Sequence, residues 1–269
     1  MTEMITSVAN PRVKQVVQWQ SKARERKKDG VFVAEGVKMF EEAPGGSILE
    51  VYLSQEAEKK VQNIPAVRQK LMETGYETVT EEVFARMSDT QTPQGILTVV
   101  KQPSYEPNVL LDAPNPLLVV LEDIQDPGNL GTILRTGEGA GITGVIMSSR
   151  TVDLFNPKTI RATMGSVYRV PFLYVTDLSE VIRRMHEKGI RTYAAHLKGE
   201  TYYDSFSFRE PTAFLIGNEG NGLTKELADQ AGQYLKIPME GKVESLNAAI
   251  ATSLLMYEAH RQRQKGGLL

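Results

Sequence analysis

Six short apolar runs occupy the second half of this chain: LLVVLE from Leu117, GVIMS from Gly144, VPFLYV from Val170, RTYAAHL from Arg191, TAFLIG from Thr212 and QYLKIPM from Gln233. Helix-forming segments lie between them, among them NPKTIRATM, with Asn156 as cap and Pro157 in the first turn, and DLSEVIRRMHEKG from Asp177. Strands that read as near-continuous apolar runs are buried on both faces, and strand–helix alternation supplies the crossovers that parallel pairing needs. The pattern therefore predicts an α/β fold with a mostly parallel, doubly covered sheet. In such sheets ligands bind at the carboxyl ends of the strands. The last segment, SLNAAIATSLLMYEAHRQRQ from Ser245, predicts a long helix in which Leu246, Ile250, Leu254 and Tyr257 form a core-facing stripe.

The first hundred residues alternate as well. NPRVKQVVQWQSKARERKK predicts a helix capped by Asn10 with Pro11 in its first position. VFVAEG, ILEVYLS, YETVT and GILTVV read as strands and VKMFEEA as a helix; residues 55–73 read as helical with a break at Pro65. KQPSYEPNVLLDAPNP, from Lys101, holds four prolines in sixteen residues, which reads as a linker. The expected division is a small α/β domain over 1–107, a linker over 108–115 and a larger domain over 116–269, consistent with a length of 269 residues.

Composition excludes several classes. With no cysteine, disulfide scaffolds, thiol nucleophiles and Cys-ligated zinc are ruled out. His186, His196 and His260 show no metal-ligand spacing, so no metal is expected. No apolar run reaches membrane-spanning length and MTEMITSVANPRVKQ lacks the apolar centre of a secretory signal, so the expectation is a cytoplasmic protein with no membrane partner. The net charge of −2 conceals a basic N-terminal stretch, Arg12, Lys14, Lys22, Arg24, Arg26, Lys27 and Lys28, and a basic tail of Arg261, Arg263 and Lys265. Such stretches are either solvated helix faces or phosphate-binding surfaces. Of these, Lys14, Arg24 and Arg26 are the candidate RNA contacts.

Three polar clusters sit at strand ends. In DIQDPGNLGTILRT, from Asp123, Asn129 stands where a helix cap is expected, and Gly131, Arg135 and Gly139 fall on one helical face. A glycine costs about 1 kcal/mol inside a helix, so two glycines flanking an arginine point to a close approach by another backbone or a ligand. In FLIGNEGNGL, from Phe214, a strand runs into three glycines surrounding Glu219, a loop that can wrap a ligand. In IPMEGKVESLNAAIA, from Ile237, Ser245 reads as a cap and Asn247 lies one turn into an apolar helix, where asparagine is unfavourable. The first cluster lacks the G-x-G-x-x-G spacing, which argues against a nicotinamide-dependent dehydrogenase.

Together DPGNLGTILRT, IGNEGNGL and IPMEGKVESLNAAIA resemble, in order and spacing, the three motifs of the SpoU/TrmH family of the SPOUT superfamily. The resemblance covers residues 117–262. It implies an S-adenosylmethionine-dependent RNA ribose 2′-O-methyltransferase, a C-terminal trefoil knot, and a homodimer. The N-terminal part, through FVAEG and its βα pattern, is similar to an L30e-like RNA substrate-binding domain, which favours ribosomal RNA as the substrate. By position Gly217, Ile237 and Leu246 would contact the methyl donor through backbone, with Ala195 and Met239 nearby. Arg135, Asn129, Glu219, Ser245 and Asn247 would form the catalytic group.

The implied reaction is attack of a ribose 2′-hydroxyl on a sulfonium methyl. The resemblance makes Arg135 the activating group, either as a literal base or, since arginine stays protonated at neutral pH, as a fork-shaped donor that stabilises the alkoxide or fixes a neighbouring phosphate. Alternative readings are a non-catalytic RNA-binding or ribosome-assembly factor on the same fold, a tRNA ribose methyltransferase, and a methyltransferase acting on a base nitrogen. Which nucleotide is modified is left open.

Overall fold

The computed structural model of the chain describes residues 4–242 and 245–264; Val243 and Glu244 of the third polar cluster, and Lys265 of the basic tail, lie outside the described residues. The chain forms two compact units, Met1–Ser104 with Asp153–Tyr168, and Tyr105–Val152 with Arg169–Leu269. The segment Asp153–Tyr168, expected within the second domain, thus belongs to the first unit.

In the first unit the elements run α1 (Pro11–Ser21), α2 (Ala23–Asp29), β1 (Val31–Glu35), α3 (Val37–Glu42), β2 (Ile48–Ser54), α4 (Gln55–Val61), α5 (Pro65–Thr74), β3 (Glu77–Val79), α6 (Glu81–Met87) and β4 (Ile96–Lys101). The strands form one sheet in the order β1-β4-β2-β3, with β4 antiparallel to β1 and β2 and β3 parallel to β2. Successive side chains alternate between two cores, as a pleated strand requires. Tyr52, Leu97 and Val99 pack with Val13, Val16 and Trp19 of α1 and Phe84 of α6. Val51, Leu53 and Ile96 pack with Phe40, Val61, Val67 and Leu71 of α3, α4 and α5. Pro65 opens α5, which gives the predicted break its form.

The single helix predicted from Asn10 is two helices. Asn10 does cap α1, accepting from the Arg12 N–H, but the chain turns extended at Lys22 before α2 begins. Arg26 explains the break. Its guanidinium, from α2, donates to the Trp19 and Gln20 carbonyls at the end of α1 (2.5 and 3.1 Å) and to Asp153 Oδ2 at 2.6 Å. A cation there satisfies carbonyls that a helix end leaves open. Arg26 is only 3% exposed, which corrects its assignment as an RNA contact: all three of its guanidinium nitrogens donate within the fold.

The second unit runs α7 (Pro107–Leu111), β5 (Leu117–Leu121), α8 (Pro127–Ala140) and β6 (Gly144–Ser148). After α9 (Pro157–Thr163), which belongs to the first unit, come β7 (Phe172–Val175), α10 (Leu178–Glu187), β8 (Arg191–Ala195), β9 (Thr212–Ile216), α11 (Lys225–Ala228), β10 (Gln233–Leu235) and α12 (Ala248–Gln264). The six strands lie in the order β10-β8-β9-β5-β6-β7 and every pair is parallel, so all six carboxyl ends share one edge. The proline-rich segment read as a linker contains α7, because Pro107 occupies a first helical position where its missing N–H is harmless. Leu110 and Leu111 are buried against Leu118, Ile146 and Met185.

Helix α12 corrects a second expectation. Its buried face is Ala248, Ala249, Thr252, Leu255, Met256 and Ala259. Ile250, Leu254 and Tyr257 of the predicted core stripe are instead exposed, at 51%, 38% and 48%. Small residues bring α12 close to α8, where Gly137 lies against Met256 and Gly139 against the Tyr257 hydroxyl. The tail cations are also engaged. Arg263 donates to the carbonyls of Asn115, Pro116, Phe208 and Glu210, burial pulling it below its ordinary pKa, and Arg261 pairs with Glu258. These contacts fasten the end of α12 and leave no basic patch among the described tail residues.

Arg26→Ala should destabilise the chain by about 3 kcal/mol in urea denaturation, since it strands Asp153 and two helix-end carbonyls. Arg24→Ala, at an exposed position on the same helix, should stay within about 0.5 kcal/mol of wild type.

Candidate functional site

At the carboxyl edge of the parallel sheet, β5 ends in two acidic residues that organise everything nearby. Glu122 is buried and accepts both the backbone N–H and the hydroxyl of Thr224, each at 2.7 Å; Thr224 in turn caps α11. Asp123 follows with φ of 57°, a left-handed conformation that aspartate tolerates better than most residues. Its N–H donates to Ser148 Oγ at 2.9 Å, and Ser148 Oγ donates to Asp123 Oδ1 at 2.6 Å. Asp123 Oδ2 pairs with Arg150 at 2.7 Å.

The turn Asp126-Pro127 starts α8. Asp126, not Asn129, is the cap: its Oδ1 accepts the Asn129 N–H at 2.8 Å. Asn129 is the third helical residue, and that offset frees its amide to work between segments. Asn129 Nδ2 donates to Glu219 Oε1 at 2.8 Å, and Asn129 Oδ1 accepts from Asn247 Nδ2 at 2.9 Å. Asn247 is not inside the last helix, as expected, but caps it, its Oδ1 accepting the N–H groups of Ala249 and Ile250. The same side chain therefore caps α12 and reaches α8.

Gly217 ends β9 where no side chain fits, since a Cβ would lie 2.0 Å from backbone atoms of Gly222 and Leu223. Asn218 exchanges backbone hydrogen bonds with Gly222, and its Nδ2 donates to the Asp123 carbonyl at 2.8 Å. This closes the loop into a tight hairpin and hangs Glu219 over the start of α8. There Glu219 accepts from the N–H groups of Gln125 and Asp126 at 3.1 and 3.2 Å. Burial pushes the Glu219 carboxyl up, but hydrogen bonds from Asn129 and from the backbone of residues 219, 125 and 126 outweigh it and hold the group below its ordinary pKa.

Beside this junction lies a cavity of about 320 Å³. Ala195, Gly217, Ile237, Met239 and Leu246 line it, together with Glu219 and Ser245. Its size is at the small end of sites that take a nucleoside-sized ligand. Arg135 stands apart. It is exposed on α8, two turns beyond Asn129, and has no hydrogen bond or ion pair with another described residue. The structure thus joins Asn129, Glu219 and Asn247 directly, sets Ser245 on the cavity wall, and leaves the guanidinium of Arg135 outside that bonded group. Lys14 and Arg24 are exposed on the first unit. Among the described residues, no group of three His, Asp or Glu side chains could hold a metal ion, and no helix is long and apolar enough to cross a membrane.

Residues 116–257 match the model of the SpoU rRNA methylase family, and residues 10–98 match that of the MRM3-like substrate-binding domain. The chain is 32% identical, over 95% of its length and 98% of the relative's, to the 23S rRNA (guanosine(2553)-2′-O)-methyltransferase RlmP of Bacillus subtilis. It is similar to the AdoMet-bound rRNA methyltransferase of Sinorhizobium meliloti, with a TM-score of 0.83 and 33% identity over 96% and 97% of the two chains. The SpoU methyltransferase AviRb of Streptomyces viridochromogenes, in complex with AdoMet, aligns with a TM-score of 0.84 at 26% identity, over 96% of this chain and all of that one. A parallel α/β sheet with a cavity at its carboxyl edge defines a ligand-binding domain, and the family match makes it one of the methyltransferase class. The chain belongs to the SpoU rRNA methylase family.

Because Glu219 titrates lower in the folded chain than unfolded, its stabilising contribution is complete above the ordinary carboxylate pKa and is lost as pH falls through the folded value. Wild type should therefore melt above Glu219→Gln at pH 7, and the gap should close below about pH 4. A gap that is constant from pH 7 to pH 3 would show that the carboxylate charge does not hold the junction.

Proposed function

We propose that this protein is an S-adenosylmethionine-dependent RNA ribose 2′-O-methyltransferase that acts on ribosomal RNA. The observation that carries the reading is the hydrogen-bonded line from Asn247 through Asn129 to Glu219, which joins three distant segments beside a nucleoside-sized cavity. The 23S rRNA 2′-O-methyltransferase activity of the RlmP relative and the AdoMet bound to two structural relatives support it.

The cavity fits the donor by its chemistry. Gly217, Ile237 and Leu246 would hold it through backbone groups, and Ala195 and Met239 would flank it with apolar surface. S-adenosylmethionine brings a methyl group already activated on a sulfonium, so the protein has to position the acceptor and stabilise its charge. Asn129, with its amide fixed between Asn247 and Glu219, orients the ribose. Ser245, on the cavity wall, holds the acceptor side. Arg135 presents a fork of donors to the 2′ oxygen as negative charge develops, or to the phosphate beside it.

The first unit is the RNA-binding part in this reading, supported by the substrate-binding match over residues 10–98 and by the exposed Lys14, Lys22, Arg24, Lys27 and Lys28. A trefoil knot in the second unit belongs to the same reading, and Ala195, Gly217, Ile237, Met239 and Leu246, from three stretches of the chain, line one cavity. So does a homodimer. The exposed Ile250, Leu254 and Tyr257 form an apolar face on α12, and Tyr257 reaches Gly139, one turn from Arg135 on α8. A second copy covering that face would complete the surroundings of Arg135. We retain a cytoplasmic location as part of the same proposal.

Calorimetry should detect S-adenosylhomocysteine binding and no NADH binding. Ribose-methylation maps of ribosomal RNA from cells with and without the gene should differ by one mark; identical maps would refute the activity. Arg135→Ala should abolish transfer while leaving S-adenosylhomocysteine affinity within about twofold, and Arg135→Lys should recover little, since lysine keeps charge but loses the fork. Near-normal turnover by Arg135→Ala would remove its role. Leu254→Lys should yield a monomer in sedimentation and lose transfer with it.

A further inference from the structure

We infer that Arg150 is a binding site for an RNA backbone phosphate next to the methylated ribose, a role that rests on the proposed RNA methyltransferase reading. The residue follows β6 on the carboxyl edge of the sheet, Asp123 follows the adjacent β5, and Glu219 follows β9, the next strand beyond β5. Donor cavity, Asn129–Glu219 junction and Arg150 therefore lie in succession along one edge. From β9 to β6 is two strand spacings, about 10 Å, the scale of a nucleotide.

Arg150 is aimed rather than loose. Its guanidinium Nη2 forms an ion pair with Asp123 Oδ2 at 2.7 Å, while the side chain remains 75% exposed. Asp123 is itself over-determined: its backbone is left-handed, its carboxylate takes the Ser148 hydroxyl, and its carbonyl takes the amides of Asn218 and Gln125. The Arg150 backbone is tied to the same junction, because Gln125 Nε2 donates to its carbonyl at 2.9 Å while the Gln125 N–H donates to Glu219. One nitrogen of the guanidinium is paired with Asp123 and the side chain stays largely exposed. An arginine held this way presents its remaining donors in the geometry that suits phosphate oxygens. A ribose offered to Glu219 and Asn129 carries phosphates on both sides, so a cation pre-set two strands away meets the backbone of the same strand.

The test is binding, which is independent of turnover. Unmodified large-subunit ribosomal RNA, transcribed in vitro, is titrated with the full chain in the presence of S-adenosylhomocysteine across a salt series. Arg150→Ala should weaken RNA binding about tenfold and make the slope of log affinity against log salt shallower by about 0.7 to 1. Its S-adenosylhomocysteine affinity and melting temperature should match wild type. Arg150→Lys should keep the wild-type slope but lose about threefold in affinity, since the charge remains and the shared fork does not. An Arg150→Ala protein with wild-type RNA affinity and salt slope overturns the assignment, as does a wild-type chain that fails to bind this RNA. RNA binding that depends on Arg150 in a chain that transfers no methyl group would keep the phosphate site and refute the methyltransferase reading.

Discussion

The second unit's site depends on one amide. Asn129 receives a hydrogen bond from Asn247 and gives one to Glu219, and no other described contact links the starts of α8 and α12 to the glycine loop in a single line. A primary amide can do this because it carries a donor and an acceptor on one planar group. A carboxylate would lose the bond to Glu219, and an apolar residue would lose both. The position also has to be the third of the helix. At the cap itself the same side chain would be consumed by its own backbone, as Asp126 is.

The glycines around this junction answer to steric demands of different kinds. Gly217 leaves room for the returning backbone of Gly222 and Leu223, so that the loop can close and lower Glu219 onto α8. Gly137 leaves room for the Ile142 side chain, which would lie 2.4 Å from a Cβ there, and Gly139 takes the Tyr257 hydroxyl of α12, 3.0 Å from where a Cβ would stand. The first shapes the site, and the other two let the turn after α8 and the helix α12 pack against α8. Arg135, on the same helix, remains outside the bonded group.

Much of the architecture was legible in the sequence. The six apolar runs became six parallel strands; the second and third clusters line the cavity, and the first reaches them through Asn129 while its Arg135 stays outside the bonded group. Periodicity could not tell which of two faces of α12 is the core, since alanine, threonine and methionine supply a buried face as well as isoleucine, leucine and tyrosine do. Asn129 was misplaced as a cap because Asp126 and Asn129 both have the chemistry, and only the preference of Pro127 for the first helical position decides between them. Asp123, Ser148 and Asn218 carried no signal alone, since their roles arise from contacts between residues far apart in sequence. Arg26 read as surface charge for the same reason: its carboxylate partner lies 127 positions away. The residues lining the cavity were reached through the family resemblance, since nothing in their spacing marks them.

That distance has a consequence for how the chain is made. The first unit is assembled from two stretches of sequence, with Phe32 stacked on Phe155 and the Tyr168 hydroxyl bonded to the Met39 carbonyl. A ribosome delivers the two stretches at different times, separated by β5, α8 and β6. Until residue 153 emerges, Arg26 lacks its carboxylate partner and one side of Phe32 is uncovered. The amino-terminal unit therefore completes its folding only after Tyr105–Val152 of its neighbour has been synthesised.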